Sequence, residues 1–434
     1  MSVVSNHFKH FLRAGHGPTL FAAFLYFAYS CCVWVVNGAM APFISEALSL
    51  TPMQKGLMLS IPIVAGALMR LPLGLLAQYI GRKRATLVEM SVIAVAMLFG
   101  CYFVKTFGDL LAMGLLLGIA GASFGVAMSL GSGWFAPRHK GLAMGIVGAG
   151  NIGTALSVLV APALAQAYGW QAVYGFAAVA TVVPVAVMMA FAKEPPDVDP
   201  HAGLRDHVAC LFERDGWAFS LIYGVTFGGF IGLATFLPSY YHDQFGVSKV
   251  QAGQLAMLAA FVGGAVRVAG GWISDRAGGV TTLTWVLALV ATCLAALACT
   301  SHSLMASTLL LTLCFAALGA GNGAVFQLVA LRWPKSTAVA GSMIGEVGAL
   351  CGGLVPNALG LSQQVLGSYA WGYALLALLA AVVLAVMRRM QARWTRTWST
   401  QGGRAHPVPR QPASHPLRDG GAPALATSGA DASN

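Results

Sequence analysis

Arg70 and Arg267 each lie inside a long apolar stretch, where a charged side chain is hardest to keep. Arg70 stands about ten residues from the nearer end of its stretch, roughly 15 Å deep if the segment is helical, and Arg267 is slightly shallower. An arginine stem is too short to bring a head group from that depth to the membrane interface. Insertion scales assign about 2.5–3.5 kcal/mol to such a residue, so both are expected to face a bundle interior or a wet cavity. The sequence offers no obvious acidic partner for both. Two guanidinium groups facing one another repel unless an anion sits between them, and their forked donors match a planar oxyanion as an ammonium cannot. The chemistry predicted is recognition of a small anion, with an ion pair or contact to helix carbonyls as the structural alternative.

Other polar groups occur in the same kind of setting. Asn151 interrupts the small-residue stripe Gly141, Gly145, Gly148, Ala149, Gly150 and Gly153; its amide either donates to a substrate oxygen or bonds a neighbouring helix. A second stripe holds Gly345, Gly348, Gly352 and Gly353, with Glu346 as the deep acid of the apolar segments. Small residues at helical spacing first of all let helices pack closely. A carboxyl in low dielectric tends to be neutral, and a nearby arginine favours its ionisation. Glu346 is therefore a candidate proton site, or else a structural partner of Arg267 or of a neighbouring helix. The eight cysteines show no paired metal-ligand spacing, so no metal or other cofactor is expected.

The elements that must position these residues follow from composition. Only 9% of the 434 residues are charged and 57% are hydrophobic, far from the roughly one-quarter charged share of soluble domains. Twelve apolar stretches are long enough to cross the bilayer: 19–44, 56–80, 85–104, 108–135, 141–168, 171–192, 216–241, 250–275, 281–300, 304–333, 337–365 and 370–387. With both termini cytoplasmic, 20 of the 25 Lys and Arg fall on the inner side, while Lys55, Lys105 and Lys249 fall outside. The net charge of +11 therefore reflects topology and does not suggest a nucleic-acid partner. The expected protein is all-α, with an N-terminal lead-in (1–18), a six-helix half (19–192), a polar linker (193–215), a second half (216–387) and a disordered cytoplasmic tail (388–434).

The halves repeat. Arg70, Gly74, Gln78 and Gly81 recur as Arg267, Gly271, Asp275 and Gly278, each 197 residues later, and Gly141, Gly145, Gly148 and Ala149 recur at an offset of 200. A parallel duplication about an axis along the membrane normal explains one arginine from each half at one central cavity.

On these residues the chain resembles the nitrate/nitrite porters of the major facilitator superfamily. The likeness rests on Ile61-Pro62, Gly66-Ala67-Leu68, Arg70-Leu71-Pro72 and Gly74, on Arg267 with Gly270-Gly271, and on both glycine stripes. It extends to Gly121-Ala122-Ser123-Phe124, Thr226-Phe227-Gly228-Gly229-Phe230 and Gly319, Gly321, Asn322 and Gly323. The resemblance implies two pseudo-symmetric six-helix bundles working by alternating access, with Arg70 and Arg267 clamping the anion. Phe124, Tyr223 and Phe227 would wall the cavity and Asn151 would add a donor; ordinary bundle packing is the other reading of the aromatics. Gly74, Gly81, Arg82, Asp275 and Arg276 match the superfamily's inner-loop gating motif, which departs here by carrying Gln78 in place of an acid.

The function so implied is transport of nitrate and nitrite across a bacterial inner membrane, by exchange or by symport with protons. The alternative is a porter for another small anion such as formate or oxalate. Entry of a lone anion against a negative interior costs about 2.3 kcal/mol per 100 mV, which either scheme overcomes. A monomer is expected. An enzyme fits poorly because no nucleophile–base constellation is visible, His242 and Asp243 lying at an outer helix end.

Overall fold

A backbone in hydrocarbon must satisfy its own hydrogen bonds, which restricts apolar segments of this length to helices. The computed structural model describes residues 14–196, 209–299, 303–333 and 337–397. The described residues form twelve helices apolar and long enough to cross a membrane. We name them α1 (Gly17–Trp34), α2 (Pro52–Ile80), α3 (Arg82–Tyr102), α4 (Phe107–Ser132), α5 (Ala143–Tyr168) and α6 (Trp170–Phe191). The remainder are α7 (Arg214–Phe245), α8 (Lys249–Ala277), α9 (Gly279–Cys299), α10 (Leu304–Arg332), α11 (Ala340–Leu366) and α12 (Ala370–Gln391). Of the expected lead-in, linker and tail, residues 1–13, 197–208 and 398–434 lie outside the described residues.

The duplication is visible in the backbone as well as the sequence. Helices α2 and α8 both open with a capping box, Thr51 with Gln54 and Ser248 with Gln251, which satisfies amide groups left over at a helix start. Both close at a glycine of positive φ, Gly81 at 91° and Gly278 at 87°, a conformation that a side chain would strain. Beyond Gly81 the carboxylate of Glu194 accepts from the backbone amides of Arg82 and Lys83 at 2.6 and 2.9 Å, capping α3 from the far end of the first half.

Regular helix fails at mid-depth in several places. Short segments Val36–Ala39 and Ala41–Ala47 continue α1 beyond kinks at Val35 and Met40. Tight 3₁₀ turns interrupt α4 at Gly118–Ala122 and α5 at Ala149–Asn151, and a wide π turn interrupts α7 at Gly224–Gly228. Such interruptions inside a membrane helix are tolerated where they are buried in protein or line a cavity.

The helix that contains α12 does not stop at Met387 as expected; beyond the membrane-crossing part Ala370–Gln391 it continues to Thr397. The reason is Trp394, buried against Phe219 and donating from Nε1 to Asp215 at 2.9 Å. Arg332 of α10 joins the same knot, donating to Asp215 at 2.9 Å and to Glu213. The basic residues after Met387 therefore begin as a helix tied to α7 and α10.

The halves meet closely at one end. At the end holding the α1–α2 and α7–α8 turns, Gly38 lies against the Thr235 backbone and Gly56 against Pro356. Gly253 lies against Val158 there, and Gly360 against Pro52. Toward the opposite, basic end a Cβ placed on Gly74 or Gly145 would meet nothing within 4 Å among the described residues. The halves are thus closed on one another at the end of the α1–α2 and α7–α8 turns.

A candidate anion-binding site

The interrupted segments and the two arginines come together midway along the bundle. Arg70 is held by carbonyls that the 3₁₀ turn of α4 and the glycine stripe of α11 present to it. Its Nε donates to the Gly121 oxygen at 3.1 Å and its Nη1 to the Gly345 oxygen at 2.7 Å. Those carbonyls belong to different halves, so Arg70 bridges them. The glycine at 345 matters sterically, since a Cβ there would stand 3.2 Å from Nη1. Arg267 is held quite differently: its buried Nη1 has no hydrogen-bond partner among the described residues. One arginine is fixed by backbone and the other keeps a donor to spare.

Aromatic rings wall the space between them. The Phe124 ring lies 5.8 Å from the Arg70 guanidinium and 6.0 Å from that of Arg267, within cation–π range of both. Phe227 lies 5.5 Å from Arg70 and stacks on Tyr223, the ring planes 8° apart with centroids 5.1 Å from each other. Tyr223 immediately precedes the π turn of α7, which carries Phe227 four residues later, so local helix geometry sets this stack. Aromatic faces beside two guanidiniums suit a flat, delocalised anion and offer little to a strongly hydrated one.

Asn151 occupies the 3₁₀ turn of α5, where its Oδ1 accepts from the Cys31 thiol of α1 at 3.6 Å. The bond to a neighbouring helix, one of the two alternatives for this amide, is thus made by its oxygen. The sequence did not place an aromatic from α1; the structure supplies Phe27, whose ring packs on Phe124 at 5.6 Å. Several aromatics crowd that helix, and only the approach of Gly150 to Phe27 selects this one.

Glu346 follows Gly345 directly, is 7% exposed, and makes no ion pair among the described residues, with Arg267 or any other cation. The Gly345 carbonyl beside it accepts from Arg70. Glu89 of α3 is fully buried and accepts from the Tyr26 hydroxyl.

The signature glycines divide by location. Gly150 and Gly153 seat α5 against α1, and Gly148 touches Met128. Gly348 accommodates Tyr223, Gly352 meets Gly228 and Ile231, and Gly353 meets Val64 of the other half. The gating-motif residues lie away from the arginines at the basic end. Arg82 donates to the Ser129 carbonyl at 3.2 Å, Asp275 is exposed, and Arg276 stacks 3.7 Å over Trp272.

Comparison with known proteins bears on this arrangement. The sequence model of the Major Facilitator Superfamily matches residues 22–356. A probable nitrate transporter, NarT, of Staphylococcus epidermidis is 29% identical, over 82% of this chain and 91% of its own. A probable nitrate/nitrite transporter, NarK2, of Mycobacterium tuberculosis is 32% identical, over 74% of this chain and 82% of its own. Among solved structures, a bacterial homologue of the human lysosomal transporter Spinster, in an inward-facing and occupied conformation, superposes with a TM-score of 0.65. That match covers 85% of this chain and 96% of the homologue at 18% identity, and it bears on the fold alone.

Proposed function

Because the chain belongs to the major facilitator superfamily, within its nitrate/nitrite porters, we propose that it carries nitrate and nitrite across the membrane by alternating access. The observation that carries the reading is the unequal arginine pair around one aromatic ring. Arg70 is fixed by carbonyls of both halves, Arg267 has a buried Nη1 without a partner among the described residues, and Phe124 lies within 6.0 Å of each. A planar monovalent oxyanion between them accepts from both forks, relieves their mutual repulsion and stacks on the rings. Asn151 adds a neutral donor, and Tyr223 backs Phe227 from behind.

In this reading the protein is a monomeric multi-pass carrier of a bacterial inner membrane, without catalytic chemistry of its own. Both termini are cytoplasmic, which follows from the basic residues gathered at the Arg82 end. The closed end is then the outer one and the chain is captured facing inward. An anion held by both arginines draws the halves together, and rocking about the site opens the outer end in its turn.

Two couplings satisfy the energetics. Exchange of nitrate for nitrite moves no net charge and leaves Glu346 structural. Symport needs a titrating group, and the burial of Glu346 beside the Arg70–Gly345 contact suits it to that role. The substrate assignment is tested by uptake of labelled nitrate in cells lacking other nitrate carriers, with unlabelled competitors. Nitrite should compete strongly, and formate and oxalate weakly. Uptake abolished by formate or oxalate but indifferent to nitrite would overturn the assignment in favour of a carboxylate porter.

A further inference from the structure

Two ion pairs cross between the halves at the outer end. Lys55, in the first turn of α2, reaches Asp243 of α7 at 2.5 Å. Lys249, at the start of α8, reaches Glu46 in the segment that continues α1. The pattern is reciprocal, since each half supplies one acid from the end of its first helix and one lysine from the start of its second. Glu46 and Asp243 are 197 residues apart, the same offset that relates Arg70 to Arg267. The lysines lie one turn out of that register. Of the three Lys and Arg placed outside by the sequence, two are these lysines.

The surroundings make the pairs unequal. The Lys55 and Asp243 side chains are 10% and 26% exposed, in a seam where Gly56 and Gly360 bring α2 and α11 together. Asp243 also accepts from the Tyr369 hydroxyl at 3.1 Å, a donor from its own half that would stay with the carboxylate when Lys55 leaves. Tyr369 itself is packed against Tyr240 and Phe236. Glu46 is 71% exposed, so its pair is weaker, although Lys249 also lies 4.7 Å over the Phe43 ring of the first half.

We propose that these four residues form a pseudo-symmetric lock that holds the outer end shut, in which Lys55 and Asp243 set the balance between inward- and outward-facing carrier. The proposal rests on the alternating-access reading and extends it to residues remote from the anion site. Opening the outer end separates each acid from its lysine while every side chain stays with its own half. Asp243 keeps the Tyr369 hydroxyl, so the open state does not leave a bare carboxylate. Anion binding at the arginines must supply what breaking the lock requires. A weaker lock therefore raises the outward-facing population before substrate arrives.

The test compares single charge reversals with the swap that restores the pair. Spin labels carried on genetically encoded residues at exposed positions Lys105 and Leu366, on outer loops of opposite halves, leave the native cysteines in place. Lys55→Asp and Asp243→Lys should each raise the fraction of long outer distances about tenfold, the scale expected for a partly buried pair. The double reversal should return the distribution toward that of the unmodified chain. Glu46→Lys should shift it less. Lys55→Gln and Asp243→Asn provide milder variants should a reversal fail to fold. An unchanged distribution in the single variants, or no recovery in the double, would overturn the lock. The readout is independent of nitrate uptake: a distance response in a chain that carries no nitrate would leave the lock standing and remove the substrate assignment instead.

Discussion

Replacing Arg70 and Arg267 one at a time by lysine separates two roles that their shared chemistry obscures. Lysine keeps the charge and removes the fork, so any difference from the unmodified chain reports geometry. At position 70 the change breaks donations to the Gly121 and Gly345 carbonyls, 3.1 and 2.7 Å long, one in each half. Each is a charge-assisted bond of about 1.5–3 kcal/mol, and an ammonium bonded to both carbonyls keeps one of its three donors, too few for a bidentate hold on an anion. At position 267 the freed Nη1 serves no protein acceptor among the described residues, so the fold loses little there. We expect Arg70→Lys to lower thermal stability in detergent without substrate and to reduce kcat/KM for nitrate by about a hundredfold or more, some 2.7 kcal/mol. Arg267→Lys should leave basal stability within about 0.5 kcal/mol and still lose a comparable share of transport. Nitrate should stabilise the unmodified chain against heat and neither variant to the same degree. The assay is a melting series with and without nitrate, beside uptake into vesicles. Arg70→Lys uptake within about threefold of the unmodified rate would refute the bidentate clamp.

Three further outcomes follow from the same geometry. Gly345→Ala places a methyl 3.2 Å from Arg70 Nη1 and should weaken nitrate binding about tenfold while the chain still inserts and folds, as read by titration of the purified protein. Glu346→Gln should abolish proton-driven uptake and spare nitrate/nitrite exchange; proton-driven uptake that survives the change would make Glu346 structural. Glu46 is held below its ordinary carboxylate value, first by the hydrogen bond and then by the charge of Lys249, with burial opposing and His242 assisting slightly. Its share of outer closure is therefore complete above the ordinary carboxylate range and is lost only as pH falls through the lowered value, so outer spin-label distances should hold throughout the neutral range and widen only in acid, below the ordinary carboxylate range.

The spans and the arginine pair were legible because each is written along the chain. Hydropathy marks a helix locally, and the 197-residue offset links Arg70 to Arg267 without knowledge of packing. What escaped depends on contacts between distant segments. Phe27 is one aromatic among several in α1 until Gly150 and Phe124 close on it. The extension of α12 to Thr397 needs Asp215, 179 residues before Trp394, and the cap on α3 needs Glu194 folding back from the linker. The lock pairs stand 188 and 203 residues apart, and each lysine taken alone reads as an ordinary outer-loop charge. The unequal state of the two arginines was likewise hidden, because the carbonyls that hold Arg70 become available only where α4 tightens and α11 has no side chain.

Nitrate uptake by the purified protein in liposomes, loaded with nitrite or with buffer and with or without an inward proton gradient, tests the central claim most directly. Accumulation should rise well above that in protein-free vesicles, dependent on internal nitrite if the carrier exchanges and on the gradient if it is a symporter. No nitrate uptake under any of these conditions, from protein that is folded and inserted, would contradict it.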